Sequence, residues 1–173
     1  MAFKSVFQTA LTDVWTSAEA GAIGDKPGDL RWERDSDGMK CYKCIEYRDG
    51  DVTTAGVAGE ACIYFTADGY KTSLVTSDYS AGEPAGNRQG AGILQAIITD
   101  TDRGWIQIKG FATMTINLGG TPADGDGLTC EAAGSADGSM AHALSDVSAA
   151  SLFRIEAIAC DESDDEIVCD FPF

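Results

Sequence analysis

Few residues in this chain could carry chemistry. The single histidine, His142, lies inside the apolar run MAHAL, with Ser139 and Ser145 close by. Nucleophilic catalysis would need an acid to orient the imidazole and a serine within its reach, and no motif here enforces either. His142 therefore reads as a structural imidazole and the serines as turn residues. Six cysteines stand at 41, 44, 62, 130, 160 and 169, two of them forming a CxxC in MKCYKCIEY. A zinc site would need a second such pair, and in a strand the odd spacing sends the two thiols to opposite faces. The acidic clusters are Asp35 and Asp37, Asp49 and Asp51, Asp124 and Asp126, and Asp161, Glu162, Asp164, Asp165 and Glu166. Calcium accepts such oxygen donors, but none of these clusters has the spacing of a loop closed by a bidentate glutamate. SAGEPAGNRQGAG is rich in glycine like a phosphate loop, yet it lacks the lysine-hydroxyl ending and leads into the strand-like AGILQAII. The expectation is a protein with no catalytic residue, no metal and no cofactor.

Composition narrows the remaining classes. The chain has 173 residues, enough for one domain with a real core, and its formal net charge is −16. That charge opposes the approach of nucleic-acid phosphates, so nucleic acid is excluded as a general partner. No apolar run is long enough for a signal segment or a membrane span, which predicts a chain made and used without crossing a membrane. In a reducing compartment the cysteines behave as small apolar residues, and free buried thiols are expected.

The elements that must position these residues read as strands. DLRWE, MKCYKCIEY, ACIYF, KTSLVT, AGILQAIIT, GWIQIKGFATMTINL, LTC, MAHAL, LFRIEAIAC and EIVCDF are short apolar runs separated by clusters such as DSDG, DGD, ADG and DTDRG. This is turn chemistry, and many short strands with turns near every ten residues predict a mainly β protein, an antiparallel β-sandwich or small β-barrel. Asp137-Gly138 is a hairpin signal. Before these runs, Phe3, Val6, Phe7, Ala10, Leu11, Val14, Trp15 and Ala18 recur at helical spacing. Residues 1–27 are therefore an N-terminal amphipathic helix or an extended arm with a loop, and 28–173 a single β-rich domain.

The longest run, Trp105 to Leu118, alternates strictly. Ile106, Ile108, Ala112, Met114, Ile116 and Leu118 form an apolar even face, while Trp105, Gln107, Lys109, Phe111 and Thr113 lie on the odd face. The run exceeds an ordinary strand of about five or six residues, so Gly110 is expected to bend it, bulge it or pass it between sheets. Alternation predicts water or a partner on the odd face. Trp105 and Phe111, the Phe3, Phe7 and Trp15 stripe, and Phe171 and Phe173 of the terminal DFPF are thus candidate protein contacts, because exposed aromatics bury much area at small entropic cost.

NRQGAGILQAIITDTDRGWIQIKGFATM, residues 87–114, resembles a segment of the capsid decoration, or cement, proteins of tailed bacteriophages. There a glycine-led apolar strand, an acidic turn and a Gly-Trp-[Ile/Val]-Gln-[Ile/Val]-x-Gly strand follow one another. GDLRWERDSDGMKCYKCIEYRDGD is similar to that family's early hairpin, and GDGLTCEAAGSADGSMAHALSDVSAASLFRIEAIAC to its closing order of elements. The resemblance spans about residues 28–171 and carries over Gly104, Trp105, Gln107 and Gly110 as pattern residues. It implies a non-enzymatic virion structural protein on the capsid exterior, assembled in the host cytoplasm. Its partners would be the major capsid protein and further copies of itself, in a homo-oligomer such as a trimer, with neither nucleic acid nor membrane involved. The cysteines, the CxxC and the long apolar N-terminal segment depart from the family pattern. The alternative is a carbohydrate- or receptor-binding β-module of a fibre or adhesin, with the loop SDYSAGEPAGNRQG as its binding site.

Overall fold

The computed structural model describes residues 9–19, 25–49, 55–65, 73–79, 89–115, 122–130, 137–142 and 155–172. Within them the chain forms strands β1 (Leu30–Asp35), β2 (Gly38–Tyr47), β3 (Ala61–Tyr64), β4 (Leu74–Thr76), β5 (Gly90–Leu94), β6 (Arg103–Thr113), β7 (Gly127–Thr129), β8 (Ala141–His142), β9 (Ala157–Asp161) and β10 (Glu166–Asp170). A 3₁₀ turn, Glu162–Asp164, separates the last two. The mainly β expectation holds.

The strands run in the order β1-β2-β4-β3-β5-β6-β10-β9-β7-β8, and a further pairing joins β2 to β6. That pairing closes β2, β4, β3, β5 and β6 into a ring. Four of its junctions are antiparallel, as expected, but β2 and β4 run parallel, with Glu46 opposite Leu74 and Tyr47 opposite Val75. Beyond the ring, β10, β9, β7 and β8 extend from the second half of β6, and β1 hangs on the first half of β2.

The long strand β6 holds the two parts together. Its residues 103–109 pair with β2, and its residues 109–113 pair with β10. Gly110, between them, has φ +89°, and a Cβ there would lie 2.5 Å from the Met39 carbonyl oxygen. Only glycine combines this left-handed backbone with so close an approach, so Gly110 is the bend the sequence called for. Next to it the ladder slips: Tyr42 faces Gln107 while Cys41 faces Lys109, which leaves Ile108 as an extra residue.

The even face of β6 enters the main core as predicted. Ile106, Ile108, Ala112 and Met114 pack there with Ile45, Tyr47, Ile63, Ile93, Ile167 and Phe171; Ile116 and Leu118 lie outside the described residues. A second cluster on the opposite face joins Trp15, Tyr42, Cys44 and Trp105, with Leu11 against it. The N-terminal segment builds this cluster as an extended arm. Over residues 9–19 it forms turns and one antiparallel bridge, in which Trp15 N–H donates to the Arg103 carbonyl at 3.1 Å and Arg103 N–H donates back at 2.8 Å. No α-helix forms over residues 9–19, because the apolar stripe docks on a sheet whose edge offers backbone partners.

Asp137-Gly138 does form a turn, yet it is not the tip of a two-residue hairpin. β7 and β8 pair across residues 130–140, and Gly138 instead donates to Ser77 C=O at 3.0 Å and accepts from Ala61 N–H at 2.8 Å.

Candidate interaction surfaces

Trp105 is not on a wet face: it is 1 % exposed. Its indole N–H donates to Thr9 Oγ1 at 2.9 Å, and the Arg31 guanidinium lies 5.9 Å from its ring centroid. Thr9 is itself a junction. Its backbone N–H and hydroxyl both donate to Asp25 Oδ2, at 3.1 and 2.5 Å, and its carbonyl accepts from Arg31 at 2.7 Å. The arm thus covers the first half of the odd face of β6 and satisfies the polar atoms it buries. Trp15 and Phe171 are buried as well, so three of the expected contact aromatics act inside the domain. Phe3, Phe7 and Phe173 lie outside the described residues.

Phe111 alone among the described candidates reaches the surface. It is half-buried, and the Lys40 ammonium stands 5.7 Å from its ring centroid. On the same face Val168 lies directly opposite Phe111, and Ile158 directly opposite Val168. Val168 is 38 % exposed and Ile158 45 %. The three side chains form an apolar row across β6, β10 and β9, flanked by the Lys109–Asp170 ion pair. Phe111 also borders a groove of about 380 Å³ lined by Asp37, Lys40, Tyr42, Gln95, Gln107 and Thr113 among others. The Gln107 side chain is oriented by donation to the Lys109 and Phe111 carbonyls, at 3.2 and 2.7 Å. Only Asp37 and Lys40 are charged in this lining, and with opposite sign, so the groove is a nearly neutral spot on an acidic molecule, while Glu166 and Asp170 flank Val168 on β10.

A second apolar surface escaped the sequence reading. Trp32 on β1 is 52 % exposed, Met39 on β2 is 51 %, and Leu30 is 39 %. Trp32 lies opposite Cys41, a core residue, whereas Phe111 alternates with the core residue Ala112. By the strand period of two, the Trp32 surface and the Phe111 row occupy opposite faces of the sheet. The signal for Trp32 was present in LRWERD, where Leu30 and Trp32 share a face, but sequence alone could not show that β1 lies outside the ring.

Among the described residues no group of three or more His, Cys, Asp or Glu side chains could hold a metal ion. His142 Nε2 lies 3.5 Å from Asp126 Oδ2, and Ser139 contributes a carbonyl that accepts from the Tyr79 hydroxyl at 2.7 Å; Ser145 lies outside the described residues. The acidic turns hold their own backbone: Asp35 accepts from Asp37 N–H at 2.9 Å, and Asp161 from Ser163 N–H at 3.1 Å. The buried carboxylate of Glu156 accepts from Gly90 N–H at 2.5 Å and Cys130 N–H at 3.0 Å, fastening β9 to two neighbouring segments. All six cysteines are free thiols, and Cys160 alone is exposed. Cys41 and Cys44 fall on opposite faces as their spacing predicts, one in each core cluster. Burial pushes the Cys44 thiol up to about 12, far from the thiolate character that redox chemistry requires.

The comparisons with known proteins are blank. No family model matches the chain, and neither a curated protein nor a solved structure matches it.

Proposed function

We propose that this protein is a non-enzymatic virion structural protein that binds the outer surface of a bacteriophage capsid and stabilises the shell. The observation that carries the proposal is a pair of exposed apolar surfaces on opposite faces of one β frame, the Phe111–Val168–Ile158 row and the Trp32–Met39–Leu30 patch. A protein that cements a lattice must hold the shell and its own neighbours at once. Two apolar faces meet that need, and exposed aromatics and aliphatics are the side chains that partner surfaces use. The strong acidity suits a protein displayed densely toward water. We assign the shell contact to the Phe111 row, because the nearly neutral groove beside Phe111 places little charge between the chain and a partner.

The test is co-sedimentation of the purified protein with capsids assembled without it, followed by thermal challenge of the loaded shells. Saturable binding at a copy number commensurate with the shell, together with greater heat resistance, is the expected result. Val168→Glu and Ile158→Glu place charge on the row without touching the core and should abolish loading. Absence of binding by the unaltered protein would sink the reading, and glycan binding at the neutral groove would then take its place. Loading that survives both variants would move the contact to another face.

A further inference from the structure

We infer that the outer edge of β1 pairs antiparallel with β1 of a second copy of this chain, across a two-fold axis centred on Trp32. The inference names the self-contact that the capsid reading calls for, and it is tested apart from shell binding.

The β1–β2 ladder shows which backbone groups are spare. Cys44 N–H donates to the Asp29 carbonyl at 2.9 Å, and Gly28 N–H, in place of Asp29 N–H, returns the bond to the Cys44 carbonyl at 2.8 Å, so the carbonyl of position 29 faces β2 opposite 44. Antiparallel ladders alternate such sites with sites whose groups point away. The register continues from Leu30 opposite Lys43 to Asp35 opposite Gly38. Arg31, Glu33 and Asp35 therefore turn their N–H and C=O toward β2, and Leu30, Trp32 and Arg34 turn theirs outward. Among the described residues β1 pairs with β2 alone and ends the strand order. A row of outward N–H and C=O groups is a template for another strand.

The sequence of β1 specifies which strand. Set antiparallel to itself about Trp32, LRWERD places each Arg31 opposite Glu33 of the other copy, and each Leu30 opposite the aliphatic stem of Arg34. Cross-strand pairs of opposite charge are favourable and like-charge pairs are not. Trp32 meets Trp32, so that the most exposed aromatic of the described residues covers itself, with Met39 beside it. Asp29 meets Asp35 only at the rim of the contact. The four charges in β1 would discourage an arbitrary strand, and in this register they match their own copies. Because the two-fold places the same patch on both copies, the contact closes as a dimer and does not propagate into a filament.

Sedimentation equilibrium of the full chain at concentrations up to about 1 mM reads the association. A reversible dimer is expected, weakened at least about tenfold by Trp32→Ala and by Trp32→Pro. The proline removes one outward N–H from an edge strand, a position where proline is tolerated, and circular dichroism confirms that each variant is folded. Register is read by cross-linking in a Cys160→Ser background. Trp32→Cys should give a disulfide-linked dimer on mild oxidation, because hydrogen-bonded cross-strand positions lie about 5.5 Å apart at Cα, whereas Glu33→Cys should not. A monomer at every concentration overturns the pairing, as does a dimer indifferent to both Trp32 variants. Cross-linking at 33 instead of 32 overturns the register. Monomers that still load onto shells would overturn the pairing and leave the capsid reading standing.

Discussion

Lys43 shows how much a single buried charge can reveal. It is 3 % exposed, its ammonium donates to the Tyr64 hydroxyl at 3.1 Å and lies 5.1 Å from that ring, and Tyr64 in turn donates to the Pro172 carbonyl at 3.3 Å. Burial lowers the Lys43 pKa below its ordinary value of 10.5. The unfolded chain therefore binds a proton more readily than the folded one, and stability contributed at this site rises with pH up to about 10.5. Lys43→Met should flatten that rise and leave stability at pH 7 unchanged or higher by up to about 4 kcal/mol, since replacing a buried charge with an apolar side chain of similar length relieves desolvation while Tyr64 keeps its acceptor. Urea titrations at pH 7 and pH 10 check this, and a variant that is less stable at both pH values would show that the ammonium holds the site together. Reading residues from sequence was least secure at the odd face of β6. Trp105 and Phe111 carry the same alternation signal, and only the arm, docked from about 90 residues away, buries one and spares the other.

At the scale of elements, the bend in β6 was legible because strand length and one glycine suffice to require it. Gly110→Ala should cost about 1–3 kcal/mol from the left-handed backbone alone, with the clash at the Met39 carbonyl added. Gly38 provides the control: its φ is +117°, yet a Cβ there would meet nothing within 4 Å. Gly38→Ala should lower the denaturant midpoint less, and equal losses would mean that the close approach contributes nothing. The parallel β2–β4 contact and the outward edge of β1 could not be read in advance, since both depend on which strands the ring admits, and strand periodicity does not encode neighbours. The Asp137-Gly138 turn was legible only as a turn. Its use as a plug between β3 and β4 follows from long-range hydrogen bonds to Ser77 and Ala61.

At the scale of the whole molecule, charge and assembly pull against each other. Two copies of net charge −16 repel over distances set by the screening length, about 30 Å at 0.01 M salt and about 8 Å at 0.15 M. The local Arg31–Glu33 pairs act at contact distance and are screened far less than the long-range repulsion. Raising salt between those limits should tighten the β1 pair severalfold in sedimentation equilibrium; a pair that weakened over that range would place the charge pairs, and not the apolar patch, at the centre of the association. The acidity was plain from composition, but its distribution was not: the neutral groove becomes visible only once β2 and β6 lie side by side.

Closure of the ring also sets an order on synthesis. β2 is completed by the pairing of Cys44 with Trp105, about 60 residues further along the chain. At about 5–20 residues per second a ribosome needs about 3–12 s to supply them. During that interval Cys41, Tyr42, Cys44 and Ile45 have no β6 to lie against, and the nascent chain presents a sticky hairpin to whatever is near. The charges of β1, with Arg31 and Glu33 ion-paired on that hairpin, are already in place to deter pairing with the unlike strands of other proteins until the long strand arrives.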